Sequence, residues 1–334
     1  MTWTDPGTFA VAPGVHRIPL PLPNDGLRAV NVYAVETADG LTLVDGGWAI
    51  PAARDVLSTG LAALGSGLAD VRRFLVTHVH RDHYTLAVAV RRDTGAQVGL
   101  GLGEKPTLDL LQAPGRNPLS TQVTQLRRLG AKDLADGLEK RLAGAGVDRT
   151  DWESPDAWLE PGTIALPGGR TLEAVHTPGH TAGHLVFHDL AGGLLFAGDH
   201  VLPTITPSIG FEPVLQAAPL AAFLRSLELV RSRPDARLLP AHGAVTDSVH
   251  ARVDELVDHH GRRLDEVLVA VPGSDGSPAD VAAALRWTRH GRTLDELDPF
   301  NRMLATFETA AHLDLLVAQE RLTREDADGV LRYR

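Results

Sequence analysis

The 334-residue sequence contains no cysteine. That absence excludes disulfides, thiolate nucleophiles and cysteine-ligated zinc, and it leaves His, Asp and Glu as the only metal ligands available. Long apolar runs are missing too: no stretch approaches the roughly 20 residues a membrane helix needs. With 43% hydrophobic and 22% charged residues the composition is ordinary for a soluble globular chain. The opening segment MTWTDPGTFAVAPGVHR lacks a basic stretch followed by an apolar one, so no secretory signal is expected and the cytoplasm is the expected compartment. Positive charge is scarce. Lys and Arg total 32 against 42 Asp and Glu, and the net charge of −10 repels a polyanion over most of the surface. GLGLG at 99–103 lacks both the GxGxxG spacing into a helix and the Lys-Ser/Thr of a phosphate loop, so it reads as a tight turn after a strand.

What is present is a chain long enough for one large domain and a small one. NVYAVETADGLTLVDGG predicts two strands joined at Asp39-Gly40, a hairpin dipeptide. PAARDVLSTGLAAL, residues 51–64, starts with Pro and spaces its apolar positions helically. VRRFLVTH then predicts a strand, YTLAVAVRRDTG a helix closed by Gly95, and AQVGLG another strand. Residues from about 103 to 160 read as a helical insertion. RTLEAVH, HLVFHDL, GLLFAGD and ARLLPAHG return to short strands that end in His or Asp. After residue 248 come a long helical pattern, a turn-rich PGSDGSPAD, two further helices and a terminal strand GVLRYR. The expected organisation is a catalytic domain over 1–247 and a winged-helix-like domain over 248–334.

Chemistry concentrates in FLVTHVHRDHY. His78 and His80 lie two apart, so on a continuing strand they share a side, and a following loop would fold Asp82 and His83 back toward them. One short stretch then serves two neighbouring cations. Later strand ends offer His176, His180 and His184, then Asp199 and His200, then His242. His16, His188, His250, His259, His260, His290 and His312 have no metal-like spacing, and Tyr84 has no assigned role beyond packing or a substrate hydrogen bond.

This succession, HxHxDH, TPGHTxGH, a GD after an apolar strand and then AHG, resembles the metallo-β-lactamase superfamily of binuclear metallohydrolases over roughly residues 10 to 245. The resemblance implies an α/β fold, an αββα sandwich. It implies that His78, His80 and His180 hold one ion, that Asp82, His83 and His242 hold a second, and that Asp199 bridges them. Asp45 in LVDGG matches the family's buried aspartate, which fixes the tautomer of a ligand histidine, and His184 matches a supporting position. Asp82 and Asp199 are the expected catalytic carboxylates. The cofactors implied are two divalent ions, zinc by expectation, with iron or manganese also compatible with nitrogen and oxygen donors.

Two such ions trap a bridging water and lower its pKa, so the expected activity is metal-dependent hydrolysis of a small acyl substrate, a thioester, ester or lactone, by a bridging hydroxide. The alternative is a single-strand endoribonuclease, because the C-terminal region resembles the module of the β-lactamase-like endoribonucleases. Residues 262–334 carry 10 Arg against 13 Asp plus Glu, however, and a phosphate-binding module should be basic. The expected partner is therefore a small acyl molecule, with no nucleic acid and no membrane. The C-terminal module is read as a packing or dimerisation element, which allows a homodimer. PTITPSIGFEP, directly beyond Asp199, is the expected wall of the substrate pocket.

Overall fold

Twelve strands form two mixed sheets in the computed structural model, which describes residues 2–23, 26–115, 117–143, 146, 148–271 and 276–334. The first sheet runs β1 (Phe9–Ala12), β2 (Val15–Pro21), β3 (Ala29–Thr37) and β4 (Gly40–Val44) antiparallel, then β5 (Val71–Val76), β6 (Gln97–Gly101) and β7 (Ala157–Leu159) parallel. The predicted hairpin is β3–β4, with Thr37 opposite Gly40. The second sheet orders β12 (Arg237–Pro240), β11 (Leu194–Gly198), β10 (Leu185–Asp189), β9 (Thr171–His176) and β8 (Gly162–Ala165).

Strand β3 shows why the sequence reads as a nearly unbroken apolar run. Val30, Val32 and Ala34 pack toward helices, whereas Tyr33 and Val35 pack toward the second sheet, so both faces are buried. The helical side holds Leu57 and Leu61 of α1 (Pro51–Ala62) and Leu86 and Val90 of α2 (Arg81–Thr94). The side between the sheets holds Leu172, Leu185, Phe187, Phe196 and Leu239. α1 begins with Pro at its first position, and α2 ends at Gly95 in the left-handed region (φ 77°), as the sequence predicts.

The chain divides into two compact units. One comprises Met1–Gln112, Asp148–Pro207 and Ser226–Val253; the other comprises Ala113–Val147, Ser208–Arg225 and Asp254–Arg334. The division thus falls elsewhere than the expected boundary at 247/248. Within the expected insertion, α4 (Ser120–Arg128) and α5 (Lys132–Leu142) share a core with the C-terminal helix α9 (Pro299–Ala318): Leu126, Ala135 and Leu138 cluster with Met303, Phe307 and Ala310. The remainder of that insertion contributes α3 (Lys105–Gln112) and the short strand β7 to the first unit.

The C-terminal region contains α8 (Pro278–Ala284), capped reciprocally by Ser277 and Asp280, then α9, capped by Asp298, and an antiparallel pair β13 (Arg324–Ala327) and β14 (Val330–Tyr333). Part of the expected turn PGSDGSPAD, residues 272–275, lies outside the described residues. Helices α6 (Pro219–Arg231) and α7 (Val249–Ala270) contribute residues to both units. Among the described residues no helix is long and apolar enough to cross a membrane.

Candidate metal centre

The candidate ligands sit where strands of the first unit end. Asp45 follows β4, Thr77 and His78 follow β5, and His180 and His184 lie between β9 and β10. Asp199 follows β11, and His242 follows β12. Gly183 lets the 177–184 loop approach the chain at 101–104, for a Cβ there would stand 2.2 Å from the Glu104 nitrogen. Buried Glu104 also accepts a hydrogen bond from Thr181, the neighbour of His180.

One expectation is corrected. Asp82 and His83 are not folded back by a loop: α2 starts at Arg81 with His80 as its N-cap residue, so both lie in the first turn of a helix. A carboxylate there is favoured by the unpaired amides and dipole of the helix start, which lets the chain turn straight from strand to helix at the site.

Two groups of donor atoms assemble. His78, His80, His180 and Asp199 form one, and Asp82, His83 and His242 the other, with the donor atoms of each group within 4.8 Å of one another. In the first, His80 Nδ1 lies 2.9 Å from His78 Nε2 and 3.0 Å from His180 Nε2. In the second, His242 Nε2 and His83 Nε2 stand 3.5 Å and 3.7 Å from Asp82 Oδ2. Asp199 faces both groups: Oδ2 is 3.5 Å from His180 Nε2, and Oδ1 is 3.3 Å from His242 Nε2 and 3.7 Å from His83 Nε2.

Hydrogen bonds behind the rings fix which nitrogen faces the centre. Asp45 Oδ2 accepts from His83 Nδ1 at 3.0 Å, and the carbonyl of Ala29 accepts from His242 Nδ1 at 2.8 Å, which turns each Nε2 inward. The Thr77 hydroxyl donates to Asp45 Oδ1 at 2.9 Å, and so it can only accept from His78 Nδ1, 3.1 Å away. Asp45 therefore supports one histidine of each group, directly or through Thr77. It does so from the left-handed region (φ 61°), which Asp tolerates better than most residues.

Electrostatics suit this donor set to cations. Burial, reinforced by His180, holds His80 down at about 3, so its ring is neutral. Burial would also lower His83, but Asp45, Asp82 and Asp199 outweigh it and push that ring up to about 10. A spot where three carboxylates retain a proton so strongly is one where a cation is stabilised. Asp82 and Asp199 are held below the usual carboxylate range: burial acts against this, and the surrounding histidines outweigh it.

The buried atoms His83 Nε2, His242 Nε2 and Asp199 Oδ1 have no hydrogen-bond partner among the described residues. His80 Nδ1 within about 3 Å of two other imidazole nitrogens, together with three orphaned inward-facing atoms, fits divalent metal ions.

Other histidines separate from this cluster. His176 is exposed and bonds the Ala182 carbonyl, whereas buried His200 packs 6.1 Å from His184. His184 is buried and stacked on His78, supporting the centre from behind. Tyr84 packs: it is fully buried, donates to the Glu153 carbonyl and stacks on Trp152. Sequence reasoning missed Thr77 and the Ala29 carbonyl. The only available signal was the Thr directly preceding HxH.

Comparisons with known proteins agree with this geometry. The sequence profile of the Metallo-beta-lactamase superfamily matches residues 25–242. The chain is 28% identical to a probable metallo-hydrolase of Bacillus subtilis over 317 residues, 92% of each protein. It is 27% identical to an atrochrysone carboxyl ACP thioesterase of Aspergillus fumigatus over 293 residues, 83% of this chain and 56% of that protein, so it spans about half the length of this fungal relative. Among solved structures, a metallo-beta-lactamase family protein from Thermus thermophilus superposes with a TM-score of 0.80 at 29% identity, over 97% of this chain and 99% of that one. A beta-lactamase domain protein from Burkholderia ambifaria gives 0.75 at 30% identity, over 98% and 94%.

Proposed function

This chain belongs to the metallo-beta-lactamase superfamily and is a metal-dependent hydrolase, and from that premise we propose that it uses two metal ions to hydrolyse a small acyl substrate, a thioester, ester or lactone. The observation that carries the reading is Asp199, whose two carboxylate oxygens address different donor groups. A carboxylate so placed suits a bridge between two ions. The name of the fungal thioesterase supports a thioester among the candidate substrates, and the net charge of −10 favours a small molecule over a polyanion.

His78, His80, His180 and Asp199 Oδ2 would hold one ion, and Asp82, His83, His242 and Asp199 Oδ1 the other. Zinc suits the all nitrogen and oxygen donor set. When bound, the two ions supply Lewis acidity toward the substrate carbonyl and lower the pKa of water.

The chain's own part is to hold that arrangement rigid. Asp45, Thr77 and the Ala29 carbonyl keep the ring nitrogens of His83, His78 and His242 aimed inward, so little reorganisation accompanies the reaction. The Asp82 side chain is 17% exposed against 9% for Asp199, which makes it the carboxylate suited to carry a proton between the centre and the leaving group. The C-terminal helices with the β13–β14 hairpin support a winged-helix-like reading of that region, which we assign to packing or self-association.

The test is to present metal-loaded protein with a panel of thioesters, esters and lactones, and separately with labelled single-stranded RNA, alongside an Asp82→Ala variant. Acyl hydrolysis lost in the variant supports the proposal. Cleavage of RNA alone, lost in the same variant, rejects it in favour of a nuclease.

A further inference from the structure

Between two members of the cluster stands a residue the centre does not use. Arg81 follows His80 and precedes Asp82, yet its side chain is exposed and lies over Trp48, with Cζ 4.2 Å from the ring centroid. A guanidinium on an aromatic face keeps its plane fixed and its N–H edges free.

The contact is built into the fold. The Thr85 hydroxyl donates to the Arg81 carbonyl at 2.5 Å and accepts the Ala49 amide at 2.9 Å, tying the residue after Trp48 to the first turn of α2. The Gly46 amide donates to the His83 carbonyl at 2.8 Å, and the Leu86 amide to the Gly47 carbonyl at 2.9 Å. Gly46 is required for so close an approach, since a Cβ there would stand 2.6 Å from the Ala87 nitrogen. Segment 46–49 is thus laced onto the same helix turn that carries Asp82 and His83.

The cation is also uncommitted. Arg54, Arg91, Arg92, Arg170 and Arg233 each pair with a carboxylate, whereas among the described residues none lies within ion-pair distance of Arg81. In a chain with excess acid, a fixed and unpaired guanidinium one residue from two candidate ligands is placed to receive an anion from outside.

We infer that Arg81, seated on Trp48, recognises an anionic oxygen group, a carboxylate or a phosphate, on the substrate and so sets specificity for charged over neutral acyl compounds. The inference rests on the acyl-hydrolase reading. The guanidinium fork matches either oxyanion in two parallel hydrogen bonds. Lysine would keep the charge and lose the fork, and glutamine would lose both.

The experiment uses metal-loaded protein and three thioesters: butanoyl-N-acetylcysteamine, neutral; its succinyl counterpart, with a carboxylate; and butanoyl-phosphopantetheine, with a phosphate. The ratio of kcat/KM for each anionic compound to the neutral one is measured in wild type, Arg81→Lys and Arg81→Gln. In parallel, calorimetry measures the Kd of uncleavable thioether analogues of all three. At least one anionic ratio is expected to fall roughly tenfold in Arg81→Gln and less in Arg81→Lys, with a matching loss in affinity. The probe that responds distinguishes carboxylate from phosphate. Unchanged ratios and Kd values in Arg81→Gln overturn the inference. Should wild type cleave none of the thioesters, the thioester form of the acyl-hydrolase reading fails, and the calorimetry still decides whether Arg81 binds the anion.

Discussion

His184 receives the backbone amide of Asp199 on Nε2 at 3.1 Å, and its Nδ1 faces the Thr177 hydroxyl at 2.9 Å. The ring is therefore neutral, with its proton on Nδ1; burial, helped by the proximity of His200 and His180, holds its pKa well below the usual histidine value. A histidine beside the ligands thus fixes the main chain of the one carboxylate that faces both donor groups. Gly198, just before Asp199, is in the left-handed region (φ 50°), and a Cβ there would stand 2.7 Å from His184 Nε2.

Replacing His184 with Leu strands the buried Asp199 amide and is expected to destabilise the protein by about 1–3 kcal/mol. It should also lower metal content, because Asp199 loses its anchor. Urea denaturation of chelated protein and elemental analysis of loaded protein check the two effects separately. Unchanged values in both would show that the contact positions nothing.

Thr77→Val removes the acceptor for His78 Nδ1 and one donor to Asp45, while leaving every candidate ligand in place. Loss of such a supporting partner typically costs roughly 10- to 100-fold in metal affinity. Thr77→Ser retains the hydroxyl and should restore most of it. Competition with a metal-binding dye reads the difference directly, and equal affinity in the Val and Ser variants would exclude the hydroxyl relay.

Gly183→Ala tests the loop that carries His180. A Cβ at 2.2 Å from the Glu104 nitrogen meets backbone, which cannot yield as a flexible side chain would, so the 177–184 loop must shift. Hydrolysis is expected to fall by more than about 100-fold, the scale associated with a 1 Å misplacement at a reacting centre. Turnover near that of the wild type would show that the loop tolerates displacement.

Acid sensitivity of the second unit should come in part from a buried pair far along the chain from the cluster. His260 Nδ1 and His312 Nε2 are 3.2 Å apart, and His312 Nδ1 donates to the Glu308 carbonyl. Burial first, then the proximity of His312, His259 and Arg263, holds His260 down at about 2. Burial holds His312 down at about 4, although its bond to the Glu308 carbonyl acts against this. Both folded values lie below the unfolded value of about 6.5, so the unfolded chain takes up protons first as pH falls. Stability is full above about pH 6.5 and is lost from there down toward about pH 4 for His312 and about pH 2 for His260, at up to roughly 1.4 kcal/mol per pH unit for each ring. In chelated protein, the double variant His260→Leu, His312→Leu should flatten the urea-derived slope between about pH 7 and pH 5; an unaltered slope would exclude the pair as its source.

Much of the first unit is legible in the sequence because its strands end where chemistry begins. The apolar run of β5 stops at the histidines, and the Asp39-Gly40 dipeptide closes β3 onto β4. Four of the seven candidate ligands lie within residues 78–83 and the other three come from distant segments, yet all but His180, which sits within the 177–184 loop, stand close to a strand end or helix start that local pattern can locate. Thr77 is not legible, since a hydroxyl acting between a carboxylate and an imidazole leaves no periodicity or spacing. β7 and β8 are hidden inside or beside the expected insertion, being three and four residues long, β7 only partly buried and β8 largely exposed, with no alternation to mark them. The second unit escapes sequence reading for a different reason: Leu126 and Phe307 share a core across 181 positions of sequence, and no local signal records such a contact.

Asp45 has one further implication. Its two oxygens serve opposite halves of the cluster, Oδ2 through His83 and Oδ1 through Thr77 to His78. Damage there would therefore be shared by both, and an Asp45 variant could not separate one donor group from the other. Separating the two groups calls for a cut elsewhere, at His242 for one side or His180 for the other, where each imidazole belongs to a single set of donors.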